Sequence, residues 1–322
     1  MDKNRLSLRT NLYKKMYLIR RAEQGIINYY ATDAMKTPMH MSMGEEAAVV
    51  GVCTALKKTD QVLGTYRSHA LYLAKTGDAK KFFAEMYGKA TGIADGKVGS
   101  MHLSSPEHGH LVSSAIVAAA VPVAMGVAYA NQYQKTGAMT TVFFGDGALE
   151  EGVFWESLNF ASLKKLPLLF VCEDNGFAIQ TDLATRHGYA SINKIVAQFD
   201  CLSFESASTD AEKIYDLTAK VMAEMRSKRK PAFLRLEYYR YLEHCGVKQD
   251  FYYRPKAEFD RWFRRDPVLL MRKKLLASGM GEGRVKVIEK TIDAGVEGAI
   301  RAAEKAPFPA KEKLYANVFY EE

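Results

Sequence analysis

The chain has 322 residues, of which 48% are hydrophobic and 25% are charged. This is the composition of a folded globular protein, and it excludes a peptide hormone, a small stapled scaffold and a mainly disordered chain. The net charge of +8, from 45 Lys and Arg against 37 Asp and Glu, suits an anionic ligand or an acidic partner and does not by itself indicate nucleic acid.

The cysteines and the first residues bear on the cellular compartment. Cys53, Cys172, Cys201 and Cys245 form no Cys-x-x-Cys pair and have no zinc-like spacing, which predicts reduced thiols. The opening MDKNRLSLRT contains no apolar signal-peptide core. We therefore expect a cytoplasmic location.

The first part of the chain is predicted to be mostly helical. Leu12, Met16 and Ile19 recur at helical spacing within residues 6–30, which predicts an amphipathic helix with a basic outer face. The elements that follow are a helix at 45–56, a short buried strand at 61–66, a helix at 79–90 and a glycine-rich loop at 91–110.

Residues 112–130 are almost all apolar or small and nearly long enough to span a bilayer. The stretch is mostly alanine, contains Pro122 and Gly126, and lacks the Leu and Ile density and the aromatic flanks of a membrane span. We therefore predict a buried helix of a soluble protein.

The clearest secondary structure is a β-α-β unit, with a strand at 140–144, a helix at 150–164 and a strand at 166–174. Such a unit predicts neighbouring parallel strands. The remaining predicted elements are a helix at 210–228, a strand at 233–240, a loop at 244–256 and a helical C-terminal third. Residues 1–322 are thus predicted to form one α/β domain, with a central parallel sheet flanked by helices and with helical N- and C-terminal extensions.

Two basic runs stand out within the helical segments. They are RSKRK at 226–230 and RWFRR at 261–265. Runs of this length are typical of solvated helix faces, and anion-binding patches are the alternative interpretation.

The residues that indicate chemistry are Gly145-Asp146-Gly147, at the junction between a strand and a helix. Open α/β sheets bind ligands at this end of their strands, and amides at a helix start favour phosphate. A dinucleotide fingerprint is excluded because Glu150 stands where its third glycine belongs. No Gly-Lys-Ser/Thr of a Walker loop follows, and the alternating acids of a calcium loop are absent.

Asp146 has a counterpart at the end of the next predicted strand. Asn175 follows it by twenty-nine residues, the length of one crossover, so the two side chains are expected to be near neighbours. A carboxylate, an amide oxygen and a backbone carbonyl can hold Mg²⁺ together with diphosphate oxygens.

This segment resembles the Gly-Asp-Gly and Asn motif of thiamine-diphosphate enzymes. With EDN and GFAIQT it is similar to the alpha subunits of 2-oxo acid dehydrogenases, in their decarboxylating component. Further signatures in family order are LYKKMYLIRRAE (12–23), MHMSMGEEA (39–47), TYRSH (65–69), GKVGSMH (96–102), AIVAAAVPVAMG (115–126), YRYLEH (239–244) and KLYANVFYEE (313–322). The resemblance covers essentially the whole chain and implies the three-layer thiamine-diphosphate-binding fold.

The resemblance also implies roles for individual residues. Magnesium is held by Asp146, Asn175 and the carbonyl of Phe177. The implied cofactor-binding residues are Tyr66, Arg67, Gly145, Gly147, Ala148 and His244 around the diphosphate, Ala115 and Val117 at the aminopyrimidine, and Ile179 as the wedge that bends the cofactor. Arg67 suits this role because its planar guanidinium matches phosphate oxygens.

Histidines are the implied catalytic residues. The resemblance puts His244 beside the diphosphate, and His40 and His102 at the substrate end, where they can stabilise charge and move protons. His69 also lies in a family signature, with its role left open. The remaining three, His108, His110 and His187, are predicted to be loop residues.

The expected activity is decarboxylation of a 2-oxo acid, pyruvate or a similar one, with transfer of the acyl unit to the lipoyl group of a partner acyltransferase. Leu242 and Glu243 depart from the pyruvate-type pattern, and Cys245 replaces a regulatory serine. The alternatives are a carboligase or sugar-modifying transferase without a lipoyl partner, a cofactor-free scaffold subunit and, more remotely, a basic nucleic-acid-binding protein.

The family pattern places the glutamate that activates the cofactor's pyrimidine in a beta subunit. Glu45, Glu46 and Glu173 are therefore expected to be structural or interfacial. We expect a heterotetramer of two alpha and two beta chains, with the apolar first helix and the alanine-rich helix packed against neighbouring subunits.

Overall fold

The structure, a computed structural model, describes residues 3–316. Its strands are β1 (Gln61–Thr65), β2 (His110–Ser114), β3 (Thr140–Gly145), β4 (Leu168–Asp174), β5 (Phe177–Ala178), β6 (Thr181–Asp182), β7 (Leu202–Ser206) and β8 (Ala232–Glu237). Six of them form a parallel sheet in the order β2-β1-β3-β4-β8-β7, and β5 and β6 form a small antiparallel pair. The predicted α/β class with a central parallel sheet is confirmed.

Helices cover both faces of this sheet. They are α1 (Lys3–Tyr30), α2 (Glu46–Ala55), α3 (His69–Thr76), α4 (Ala79–Met86), α5 (Ala120–Tyr133), α6 (Gly152–Lys164), α7 (Ile192–Val196), α8 (Ala211–Lys228), α9 (Lys256–Phe263), α10 (Pro267–Ala277) and α11 (Glu282–Lys305). Successive residues of β3 enter different cores: Phe143 packs in the cluster of α1, α2 and α8, and Phe144 in that of α5 and α6. The central strands are therefore rich in apolar residues, as strands buried on two faces must be.

The apolar face of α1 is buried within this chain. Leu12, Met16, Ile19 and Ile26 are fully buried, and the helix packs on α10, α11, α2 and α3. The expectation that this face packs against a neighbouring subunit is therefore wrong, because the C-terminal helices already cover it.

The prediction that the apolar stretch at 112–130 forms one buried helix is wrong. It comprises the end of β2, a loop, and α5 from Ala120 onward, and side chains such as Val123 and Tyr129 remain exposed. Among residues 3–316, no helix has the length and apolar character needed to cross a membrane.

The two-residue strands β5 and β6 were not predicted. Two strands of the six-stranded sheet also escaped prediction because both are short, lie at its edges and carry polar residues. They are β2, read as part of a loop, and β7. His110 consequently belongs to a strand, is fully buried, and its Nε2 lies 2.9 Å from the Ser113 hydroxyl. The closing signature at 313–322 lies partly outside the described residues, at 317–322.

Candidate active site

A cavity of about 240 Å³ opens at the carboxyl ends of β1, β3, β4 and β8. The residues predicted to bind cofactor or metal that line it are Tyr66, Arg67, Val117, Gly145, Asp146, Gly147, Ala148, Asn175, Phe177, Ile179 and His244. Ala115 is not among the lining residues, and neither are His40 and His102. Parallel strands create this arrangement because their carboxyl ends meet at one edge.

Asp146 and Asn175 become neighbours through the pairing of β3 with β4. The last pair in register is Gly145 with Glu173, so both chains leave the sheet side by side. Asn175 begins a turn in which its Oδ1 accepts a hydrogen bond from the Phe177 amide at 3.2 Å. Its Nδ2 donates to the Tyr238 hydroxyl at 3.3 Å.

Asp146 is a buried carboxylate that is only partly satisfied. Its Oδ1 is buried and has no hydrogen-bond partner among the described residues. Its Oδ2 accepts from the guanidinium of Arg186, which also contacts Glu150. Burial raises the pKa of Asp146, the nearby charge of Asp174 adds to this, and Arg186 opposes it. The carboxylate therefore favours a cation beside it.

These residues fit a magnesium ion. The free oxygen of Asp146, the amide oxygen of Asn175 and the carbonyl of Phe177 form an all-oxygen donor set, which Mg²⁺ prefers. Within residues 3–316, no group of three or more His, Cys, Asp or Glu side chains could hold a metal. The candidate set has a different make-up, with a single carboxylate among its three donors.

The turn opposite Asp146 is tightly packed and strained. A Cβ on Gly147 would lie 3.0 Å from the Cβ of Ala178, so the two segments approach as closely as glycine allows. Ile179 has φ +56°, which is unfavourable for a β-branched residue, and its side chain is 59% exposed. Its carbonyl accepts a hydrogen bond from Arg240 at 3.1 Å. Such strain persists where the surrounding structure holds it, commonly at functional sites.

Arg67 is a buried cation fixed by backbone groups. Its Nη1 donates to the Met41 carbonyl at 2.7 Å and its Nη2 to the His244 carbonyl at 3.0 Å. The guanidinium is therefore held in place at the cavity wall, as an anion-binding group should be.

Aromatic rings cluster beside Arg67. The His40 ring centroid lies 4.5 Å from that of Tyr66 and 5.1 Å from that of His244. Burial, reinforced by the charge of Arg67, lowers the pKa of His40 to about 3 and that of His244 to about 4. Both imidazoles are thus neutral at pH 7, and the Nδ1 of each has no hydrogen-bond partner within residues 3–316. They can exchange protons and hydrogen bonds, but they carry no charge toward a substrate carboxylate.

The other two signature histidines lie away from this cluster. His102 is exposed, with its Nδ1 3.2 Å from the Ser113 carbonyl. His69 is fully buried, and its ring nitrogens contact Glu23 at 2.7 Å and Ser100 at 2.6 Å. This buried network joins α1, α3 and the glycine-rich loop.

The acids that the sequence interpretation expected to be structural or interfacial include two that line the cavity. Glu45 and Glu173 line the cavity and are buried, with three of their carboxylate oxygens unpartnered among the described residues. Burial raises the pKa of Glu173 to about 8 and raises that of Glu45 as well. Glu46 instead pairs with Arg20 at 2.6 Å. The signal for Glu173 was its position within the EDN motif; no sequence signal pointed to Arg186.

Comparison with known proteins places this chain in a family. The model of the family described as "Dehydrogenase E1 component" matches residues 14–312. The chain belongs to the dehydrogenase E1 component family. This membership confirms the predicted resemblance and the function as the alpha subunit of a thiamine-diphosphate-dependent 2-oxo acid dehydrogenase, an oxidoreductase.

Curated relatives of this dehydrogenase E1 chain carry consistent names. A pyruvate dehydrogenase E1 component subunit alpha from Zymomonas mobilis is 33% identical over 95% of this chain and 87% of its own. One from Rickettsia prowazekii is 30% identical over 95% of this chain and 94% of its own. The chloroplastic subunit alpha-3 from Arabidopsis thaliana is 33% identical over 96% of this chain and 73% of its own.

Proposed function

We propose that this chain is the magnesium- and thiamine-diphosphate-binding alpha subunit of a pyruvate-type dehydrogenase, with residues 1–322 forming a single cofactor-binding domain. The observation that carries the proposal is the buried Oδ1 of Asp146, which has no partner in the part of the chain that the structure describes and lies in a cavity lined also by Asn175 and Arg67. The names of the relatives support pyruvate as the substrate.

In this proposal Asp146, Asn175 and the Phe177 carbonyl hold the metal. Arg67 and Tyr66 bind the diphosphate with the amides of Gly147 and Ala148, and Ile179 and the backbone near Ala115 and Val117 support the rest of the cofactor. When bound, thiamine diphosphate supplies the nucleophile for the keto carbon and accepts the electrons released as carbon dioxide leaves. The chain's own residues bind, orient and move protons.

His244 is proposed to act at the cavity wall, where it is neutral. Its carbonyl fixes Arg67, and its Nδ1, which none of the described side chains or backbone groups contacts by a hydrogen bond, is available to exchange a proton or to form a hydrogen bond. His40 lies edge-on to it and is the second proposed proton carrier. His102 is exposed and lies outside the cavity wall. Its proposed role at the substrate end therefore requires that a partner subunit cover it.

We infer that a beta subunit completes the site. Residues 111–134 contain no charged residue, yet Ile116 is 72% exposed and Tyr133 79% exposed. An uncharged apolar face of this kind is typical of a subunit interface, and it adjoins the cavity through Val117. The proposed assembly is two alpha and two beta chains that transfer the acyl unit to a lipoyl acyltransferase. The four free thiols suit the cytoplasm, where we propose that it works.

The site assignment is tested with Asp146→Ala and Asn175→Ala in the complete enzyme. Each removes a ligand at a strand end and little core volume, so we expect a folded protein that has lost magnesium-dependent binding of thiamine diphosphate in calorimetry. Asp260→Ala, at an exposed position on α9, is the matched control. Unchanged cofactor affinity in both site variants would refute the assignment.

The role of His244 is tested separately. In His244→Ala we expect the cofactor to bind and turnover to fall by about two to four orders of magnitude, the usual range for loss of a positioned proton carrier or electrostatic group. Near-normal turnover would reduce His244 to a structural residue. The need for a partner is tested with the purified single chain, where robust 2-oxo acid decarboxylation without a second polypeptide would refute the beta-subunit proposal.

A further inference from the structure

A strongly basic groove lies at the amino ends of the strands of the sheet, whereas the cofactor cavity lies at their carboxyl ends. It is a depression of about 660 Å³ near the starts of β3 and β4, where α5, α6 and α8 end. Its six cations, which define the basic groove, are Lys135, Lys164, Lys165, Arg226, Arg229 and Lys230. Part of the RSKRK run thus joins cations from two other helix ends.

Most of this charge is unpaired. Arg226 pairs with Asp60 at 3.5 Å, and Lys230 pairs with Asp200. The remaining four cations form no ion pair with any residue in the described range 3–316. Six cations against two acids leave an excess of four, half of the chain's net charge of +8. Such a concentration produces a positive potential that attracts acidic ligands.

The backbone conformation argues that these cations do more than end their helices. Lys135, Lys165 and Arg229 follow α5, α6 and α8 and have φ values of +54°, +53° and +51°. Glycine takes this position at many helix ends because a Cβ makes the left-handed conformation costly. Each of the three helices is therefore followed by a strained residue whose cationic side chain lines the same groove. A cation near a helix end also offsets the helix dipole, but that role does not require the strained position.

The groove's construction indicates the class of ligand. The helices present their carboxyl ends, where exposed carbonyls disfavour the close amide contacts that a compact phosphate uses. The cations are instead on long side chains around a floor that includes the partly exposed, apolar Pro167. Spread carboxylates with apolar side chains between them match this surface.

We propose that the basic groove is a docking surface for an extended acidic segment of a partner polypeptide, with carboxylates on its cations and apolar side chains on its floor. The surface is separate from the cofactor cavity, since the two lie at opposite ends of the strands of the sheet.

The test uses the full chain and a fluorescent synthetic peptide of Glu, Asp and Leu, with binding followed by anisotropy at low and physiological ionic strength. The decisive variant is Lys135→Gly/Lys165→Gly/Arg229→Gly. Glycine suits all three backbone conformations, so the variant removes the charges and relieves strain. Its thermal transition should be at least as high as that of the original chain.

The matched control is Lys80→Gln/Lys273→Gln/Lys290→Gln, which removes the same amount of charge from exposed sites elsewhere. We expect the glycine variant to lose about tenfold or more in peptide affinity, and the control about twofold or less. A peptide with Ser in place of Leu should bind more weakly to the original chain.

Three results would overturn the proposal. The first is equal affinity losses in the glycine and control variants, which would show only general charge attraction. The second is no binding of the peptide to the original chain. The third is tight binding of inorganic triphosphate with no binding of the peptide, which would make the groove a phosphate site.

Discussion

The loop that carries His244 is held by one buried carboxylate, and we predict that Asp250→Asn releases it. Asp250 accepts hydrogen bonds from Arg254 Nε at 3.0 Å, from Arg254 Nη2 at 2.5 Å and from Arg240 Nη2 at 3.2 Å. All three side chains are about 1% exposed. The Tyr253 hydroxyl also donates to it.

The expected cost follows from this burial. Asparagine keeps the size of the side chain but leaves two buried guanidinium groups without a counter-charge. Removing one partner of a buried ion pair costs about 3–5 kcal/mol. The matched control is Asp260→Asn, which breaks an exposed pair with Lys256 at the same four-residue spacing. Exposed pairs of this kind are worth about 0.3–0.5 kcal/mol.

Urea-induced unfolding followed by circular dichroism measures both free energies of unfolding. Limited trypsin digestion adds a local measurement, because cleavage after Lys248 should accelerate in Asp250→Asn and not in Asp260→Asn. A loss below about 1 kcal/mol, together with unchanged cleavage after Lys248, would refute the argument that Asp250 holds this loop.

Three further predictions concern backbone space, pH and regulation. Gly44→Ala should cost about 2–5 kcal/mol in thermal or urea unfolding, because its Cβ would lie 1.9 Å from the Tyr239 carbonyl at φ +105°. Gly77→Ala, with open space around it at φ +67°, should cost only roughly 1–2 kcal/mol, and similar losses in the two variants would contradict the steric argument. Burial lowers the pKa of His40 to about 3, so below pH 6.5 the unfolded chain binds a proton that the native chain does not, and the free energy of unfolding falls with falling pH. His40→Gln should reduce this slope by up to about 1.4 kcal/mol per pH unit, and an unchanged slope in pH-dependent unfolding would contradict the prediction. Residues 241–255 contain no Ser or Thr, so mass spectrometry of the active enzyme should find no phosphate there, and inactivating tyrosine phosphorylation in this loop would disprove the expectation.

The local sequence was sufficient to bring the proposed metal ligands together. The strand at 140–144 and the strand at 166–174 are apolar, and only one crossover helix separates them. A right-handed crossover of that length leaves the strands adjacent and parallel, so Asp146 and Asn175 meet at one edge. The motifs shared with the family identified Tyr66, Arg67 and His244 in the same way, as short segments with recognisable residues.

Other features depend on contacts between segments that are distant in the sequence. Arg186 contacts Asp146, forty residues away, and Glu45, which was expected to be structural or interfacial, lines the cavity. The sequence pattern did not predict the edge strands β2 and β7, because their pairing, rather than their own composition, makes them strands. Hydrophobic periodicity reports only which side of an element is buried.

The face of α1 illustrates the same limit. Its periodicity correctly predicted an apolar face, yet only the packing of α10 and α11 decided that the covering surface belongs to this chain. The basic groove likewise exists because three helices end at one place. The sequence by itself determined which segments are helices or strands of the β-α-β unit and which residues are proposed to bind the cofactor, since both are properties of short segments. Only the tertiary structure decided what covers each apolar face and which charges converge, because those are set by where distant segments end in space.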